Sequence, residues 1–211
     1  MTIRVTCHFG EWMQGRLGPG GPIVLVTIPC AALHVEAERS GDGPLAITQT
    51  PDLLTVERAK AFLDRIGGQE AHYQLRANMP LGGGAGASTA ALLALARAAG
   101  GGEAKWIDAC IATEGASDPL MLPYPDRALW ASREGRVVRD MPSLPRAEII
   151  GGFWGAPTAT DPKDTDFPDI SNLVDRVIPG LRLQELAEIA SASARRCTEL
   201  RGPADDPTEA L

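Results

Sequence analysis

The chain has 211 residues, 44% of them hydrophobic, and a mean hydropathy of −0.06, a balance that supports a real core and argues against a disordered chain. The net charge is −7, with arginines scattered around three lysines (Lys60, Lys105, Lys163), so no basic face is available for nucleic acid. No apolar run reaches the ~18 residues of a membrane span, and the opening MTIRVTCHFG lacks the apolar centre of a signal peptide; a cytoplasmic protein with no membrane partner is expected.

Residues 1–48 read as strands. The stretch IVLVTIPCAALHVEAE (23–38) alternates β-branched residues between the turns GRLGPGGP (15–22) and SGDGP (40–44). Residues 52–66 place Leu53, Leu54, Ala59, Phe62, Leu63 and Ile66 at helical spacing, and Gly67 and Gly68 stop that helix. Residues 71–80 read as a strand with Tyr73, Leu75 and Ala77 on one face. A glycine-rich loop follows, then a helix to about Ala99, then a second helix from Glu103 to Glu114. Residues 127–141 read as a hairpin with Glu134 and Gly135 at its tip, 146–152 as another strand, and 156–171 as a polar loop rich in Pro and Asp. Helices over 170–178 and 182–200 complete an α+β order. Cys7, Cys30, Cys110 and Cys197 form no CxxC pair and no zinc spacing, and are expected to be reduced thiols.

The loop PLGGGAGAST (80–89) stands between a strand and a helix. A helix N-terminus presents unpaired N–H groups and a partial positive charge, and glycines let a ligand approach the backbone. The stretch therefore reads either as a connector before an Ala-rich core helix or as an anion site. It has neither the GxxxxGK[ST] of a Walker loop nor the setting of a dinucleotide fingerprint. Ser88 and Thr89 fall in the first helical turn, where a hydroxyl could cap the helix, meet phosphate or ligate Mg²⁺.

Three other stretches hold candidate chemistry. CHFGEWMQG (7–15) contains His8, Gly10 and Glu11 and reads as a turn with a structural Glu or as part of a site. In EGASDP (114–119), Glu114 and Asp118 are spaced so that one could face a metal and the other an acceptor hydroxyl; otherwise Glu114 faces solvent and Asp118 caps a turn. Thr158, Thr160, Asp161 and Asp166, after Gly151 and Gly152, read as a substrate pocket or as a surface loop in which Asp169 and Ser171 cap the next helix. His34 and His72 read as structural, and Trp12 as a core or pocket-wall residue.

Pro80, Gly82, Gly84, Gly86, Ser88 and Ala90 resemble the central motif of the GHMP kinases, Pro-x-Gly-x-Gly-Leu-Gly-Ser-Ser-Ala, with Ala85 in the Leu position and Ala87 in that of the first Ser. Gly10-Glu11-x-x-Gln14-Gly15, followed by a strand ending in Pro29 and Cys30, is similar to one subgroup, the L-threonine kinases of cobalamin biosynthesis. The resemblance implies the GHMP N-terminal domain (ribosomal protein S5 domain 2-like) over 1–145, and the start of a C-terminal subdomain over 146–211. It implies ATP and Mg²⁺ as cofactors. The phosphates would be wrapped by Pro80, Gly82, Gly83, Gly84, Ala85, Gly86, Ala87, Ser88 and Thr89, the Mg²⁺ held by Ser88 and Glu114, and Asp118 would serve as the catalytic residue. His8, Gly10 and Glu11 are carried as first-motif or substrate residues. The implied reaction is phosphorylation of the hydroxyl of L-threonine, with homoserine or another alcohol, or a non-catalytic nucleotide- or metabolite-binding role, as alternatives; a homodimer is compatible with it. The family's third glycine-rich motif has no counterpart before Leu211, so the chain is expected to be either a fragment or a shortened relative, with the C-terminal subdomain largely missing. The Lys before the family's Gly-Glu is also missing, and Arg4 is the nearest candidate for its charge.

Overall fold

Two long strands, β1 (Ile3–Arg16) and β2 (Ile23–Gly41), pair antiparallel and organise the sheet in the computed structural model, which describes residues 1–158, 161–203, 206 and 208. The opposite edge of β2 is shared by two partners. Near its start it pairs with β5 (Ala128–Ala131), and beyond Val35 it pairs with β4 (His72–Ala77). β3 (Ala46–Thr50) lies parallel to β4, connected through α1 (Val56–Ile66), and β6 (Arg136–Asp140) closes a hairpin on β5. The result is a six-stranded, mainly antiparallel sheet with helices packed on it, the mixed α/β architecture that the order of elements implies.

α1 begins at Val56, not at 52. Thr55 caps it, accepting the Arg58 N–H at 3.2 Å, while Leu53 and Leu54 lie in the extended approach and are buried without being helical. Gln49 holds that approach, its side-chain oxygen accepting from the N–H groups of both leucines at 3.0 Å. Gly67 then ends the helix at φ 70°.

α2 (Ala87–Ala99) is the central helix, packed against β1, β2, β4, α1 and α3 (Trp106–Glu114). Ala90 through Ala96 have no exposed surface. A helix apolar on every side belongs inside, and its alanines let neighbours approach closely.

The apolar interior is divided. One core joins Val5, Cys7, Val35, Tyr73 and Leu75 of the sheet to α1, α2 and α3. The other joins Met13, Val24, Val26 and Leu129 to Ile170, to α4 (Ser171–Val174) and to Ile189 of α5 (Leu183–Arg201). α5 also covers the outer edge of β1. Ser193 Oγ accepts the Gln14 N–H at 3.0 Å and Cys197 Sγ donates to the Gln14 carbonyl at 3.3 Å. A covered edge cannot recruit a stray strand.

Residues 146–152 do not form a strand. Ile149 and Ile150 are exposed, and Pro142, Pro145 and the Gly151-Gly152 pair flank them. The prolines and the glycine pair around them oppose a regular strand, and the chain there is irregular. The helix expected over 170–178 is regular only over Ser171–Val174. All four cysteines are free; Cys7 and Cys110 are buried, and burial pushes each thiol up to about 12. Among the described residues no helix is long and apolar enough to cross a membrane.

Candidate active site

The glycine loop starts from a fixed point. Asn78 donates to the Ala32 carbonyl at 2.7 Å and accepts the His34 N–H at 2.9 Å, pinning the end of β4 to β2. Beyond it, Gly82, Gly84 and Gly86 all have φ between 67° and 72°, a left-handed conformation that side chains disfavour. Gly86 is the N-cap of α2 and supplies no side-chain cap, and no acidic residue lies in the first turn. The first-turn amides therefore keep their positive field. Gly86 also allows a close approach: a Cβ there would lie 2.5 Å from the His8 ring and 3.1 Å from Asp118 Oδ2. The His8 N–H donates to the Ala85 carbonyl at 3.2 Å, and Ala85 itself is buried, so a small side chain suits that position.

Acidic groups stand beside the loop in a cleft of about 900 Å³. Glu114 ends α3, with Gly115 at φ 74° turning the chain away. Ser88 Oγ donates to Glu114 Oε1 at 2.5 Å, and the Arg58 guanidinium of α1 pairs with the same oxygen. Burial raises the Glu114 pKa against the lowering effects of Ser88 and Arg58. Asp118 is positioned by its backbone. Its N–H donates to Thr89 Oγ1 at 3.2 Å, and the neighbouring Ser117 carbonyl accepts from Trp130 Nε1 at 2.7 Å.

His8 lies at the cleft floor, 2% exposed, between two carboxylates. Its Nε2 is 3.5 Å from Asp118 Oδ2 and its Nδ1 is 3.7 Å from Glu11 Oε1. Burial alone would lower its pKa, but Asp118 and then Glu11 outweigh that and raise it to about 9. Burial raises Glu11 to about 7, opposed by His8. Residues three apart on a regular strand face opposite sides. Here three steps from His8 to Glu11 oppose two on β2, from Pro29 to Thr27, and Gly10 at φ 78° takes up the extra residue. That bulge turns Glu11 toward His8.

The structure thus brings most of the sequence-derived candidates together. His8, Glu11, Pro80, Gly82, Gly83, Gly84, Ala85, Gly86, Ala87, Ser88, Thr89, Glu114 and Asp118 all line the cleft. Gly10 does not; it borders a small side pocket of about 170 Å³ between Phe9 and Phe153. Thr89 is buried and its hydroxyl is engaged by Asp118, leaving Ser88 as the hydroxyl turned toward Glu114. Thr158 and Asp161 reach the cleft rim, with the Thr158 N–H donating to the Gly82 carbonyl at 3.0 Å. Asp166 is not among the lining residues, and Thr160 lies outside the described residues. Asp169 accepts from the Ser171 N–H and Oγ at 2.8 and 2.6 Å, but the N-cap of α4 is Ile170 and no side chain caps the helix, so Asp169 and Ser171 are not the expected caps. Trp12 packs beside the second core, away from the cleft.

Arg4 is not part of the site. It pairs with Glu36 on the exposed sheet surface, because in β1 it alternates with the buried Val5. The cations lining the cleft are Arg58, Arg133 and Arg201. None stands out in the sequence. Arg58 is an ordinary helix arginine, and Arg201 arrives from the far end of α5, paired with Asp164 and lying 4.1 Å over the Phe167 ring. Only the fold brings them to the glycine loop.

No family model matches the chain, and no curated protein matches it. Among solved structures, a protein of Listeria monocytogenes described as a provisional homoserine kinase superposes on 92% of this chain and 73% of its own, with a TM-score of 0.44 and 17% sequence identity. Nothing about family or activity follows from a likeness at that level.

Proposed function

We propose that the protein is a GHMP-type kinase that transfers the γ-phosphoryl group of ATP to the side-chain hydroxyl of L-threonine, giving O-phospho-L-threonine for assembly of the cobalamin nucleotide loop. On this reading residues 1–145 form the nucleotide-binding domain and 146–211 open a second subdomain. One observation carries the proposal: an uncapped helix N-terminus behind left-handed glycines adjoins two carboxylates in a cleft also lined by arginines. Backbone amides and a helix dipole suit phosphate oxygens. Ser88 and Glu114 offer the hard oxygen donors that Mg²⁺ takes; when bound, the ion would neutralise phosphate charge. Arg58 and Arg133 add positive charge from the cleft wall.

The transfer is direct and in line, with no covalent intermediate on the protein. Asp118 faces the acceptor hydroxyl and takes its proton as the new P–O bond forms and the bond between the γ-phosphorus and the β,γ-bridging oxygen breaks, releasing ADP. The acceptor assignment rests on the sequence resemblance in GEWMQG and on Ser88-Thr89-Ala90.

A coupled ADP-release assay with ATP and Mg²⁺ over L-threonine, L-serine and L-homoserine tests the reading. Turnover highest with L-threonine is the expected result, and Asp118→Asn should lower kcat by about 10²–10⁴ while ATP still binds. Turnover only with homoserine keeps the kinase and moves the acceptor. ATP binding with no turnover in any arm replaces the kinase with a nucleotide-binding protein.

A further inference from the structure

Ser88 and Glu114 present only oxygen, but a second cluster in the same cleft has different chemistry. One nitrogen of His8, one carboxylate oxygen of Glu11 and one of Asp118 all lie within 4.8 Å of each other. Neither His8 ring nitrogen has a hydrogen-bond partner among the described residues, although both are buried and each faces a carboxylate. A buried imidazole with both nitrogens unsatisfied is costly. With both carboxylates ionised, the single positive charge of a protonated ring offsets only one of them in this partly desolvated place. Gly10 is bulged so that Glu11 turns to this point, and Gly86 lacks the Cβ that would strike the ring. The backbone is thus shaped around the cluster on two sides.

We propose that His8, Glu11 and Asp118 bind a first-row divalent transition-metal ion of the zinc or manganese class. A neutral imidazole and two carboxylates balance such an ion to zero charge. The nitrogen donor favours these metals over Mg²⁺, which demands oxygen and dehydrates reluctantly. Three protein ligands leave a position open. The Glu11 and Asp118 side chains keep 20% and 24% of their surface exposed toward the cleft, so that position faces substrate space. The inference stands apart from the kinase reading, because its readout is binding of the ion and an Asp118 that holds the ion is not free to act as the base there.

The test is calorimetric titration of EDTA-stripped full chain with ZnCl₂, MnCl₂ and MgCl₂, together with the visible spectrum of the Co²⁺ form. Binding of one Zn²⁺ per chain is expected, with Mg²⁺ much weaker and no thiolate charge-transfer band from Co²⁺. Asp118→Asn, a nearly isosteric change at a partly exposed position, should weaken Zn²⁺ by more than ~10-fold, and His8→Gln likewise. Exposed His72→Gln should leave binding unchanged. No zinc or manganese binding tighter than about 100 µM, Mg²⁺ binding as tight as Zn²⁺, or zinc binding unaltered in Asp118→Asn would each overturn the proposal.

Discussion

At the scale of residues, the charge state of the cleft floor makes stability depend on pH. His8 binds its proton more tightly in the folded chain, at about 9, than its ordinary 6.5. Its contribution is therefore complete below about 6.5 and is lost as pH rises through about 9. Glu11 acts in the same direction at lower pH. Its folded value of about 7 stands above the ordinary 4.5, so ionising it between those values also weakens the fold. Melting temperature measured in EDTA should fall between pH 6 and pH 9.5. His8→Gln should flatten the upper part of that fall, and an unchanged slope in the variant would remove His8 as its cause.

The elements show what could be read from the chain and what could not. The glycine loop and its helix were legible because backbone conformation there is written in residue type: glycine for left-handed positions, alanine and leucine for a buried helix. The hairpin over 127–141 was legible for a similar reason, since Gly135 sits at φ 64° where the chain turns. The strand expected at 146–152 does not form, because a strand exists only where a distant partner pairs with it, and local sequence does not encode that pairing. The His8–Glu11 arrangement was hidden for the same kind of reason, since a strand bulge is defined by its partner's register. Gly86→Ala examines the loop directly. A positive φ and a contact of 2.5 Å to His8 both oppose a methyl group, so the variant should lose more than about 1 kcal/mol of stability, read as a lower urea midpoint. An unchanged midpoint would mean that the loop can leave His8 freely.

For the whole molecule, the divided interior matters most. β1 and β2 pass through both cores, so the segment beyond residue 168 is built into the same sheet that carries the cleft. The Arg16 N–H donates to the Pro168 carbonyl at 2.8 Å and the Ile170 N–H to the Arg16 carbonyl at 3.0 Å. Ile189→Ala, in a fully buried position of α5, should therefore destabilise the entire chain by about 2–5 kcal/mol. Unfolding followed by far-ultraviolet circular dichroism and by tryptophan fluorescence should stay coincident, Trp130 being the large buried reporter beside Ser117. Two separated transitions would show that the C-terminal helices melt independently of the cleft.

β1 behaves like a two-letter reading frame that takes two single insertions in succession. Of its three register breaks against β2, the last two, at the Gly10 bulge and between Glu11 and Met13, each insert one extra β1 residue. A one-residue slip turns every later side chain to the other face, and two slips cancel. Met13 and Gly15 thus meet the second core in the phase that an unbroken strand would have given them. Only the short window between the two breaks, with Glu11 inside it, is out of frame. Chemistry placed in that window can be rewritten without re-registering either core, which confines variation in the cleft to a stretch that the rest of the fold does not read.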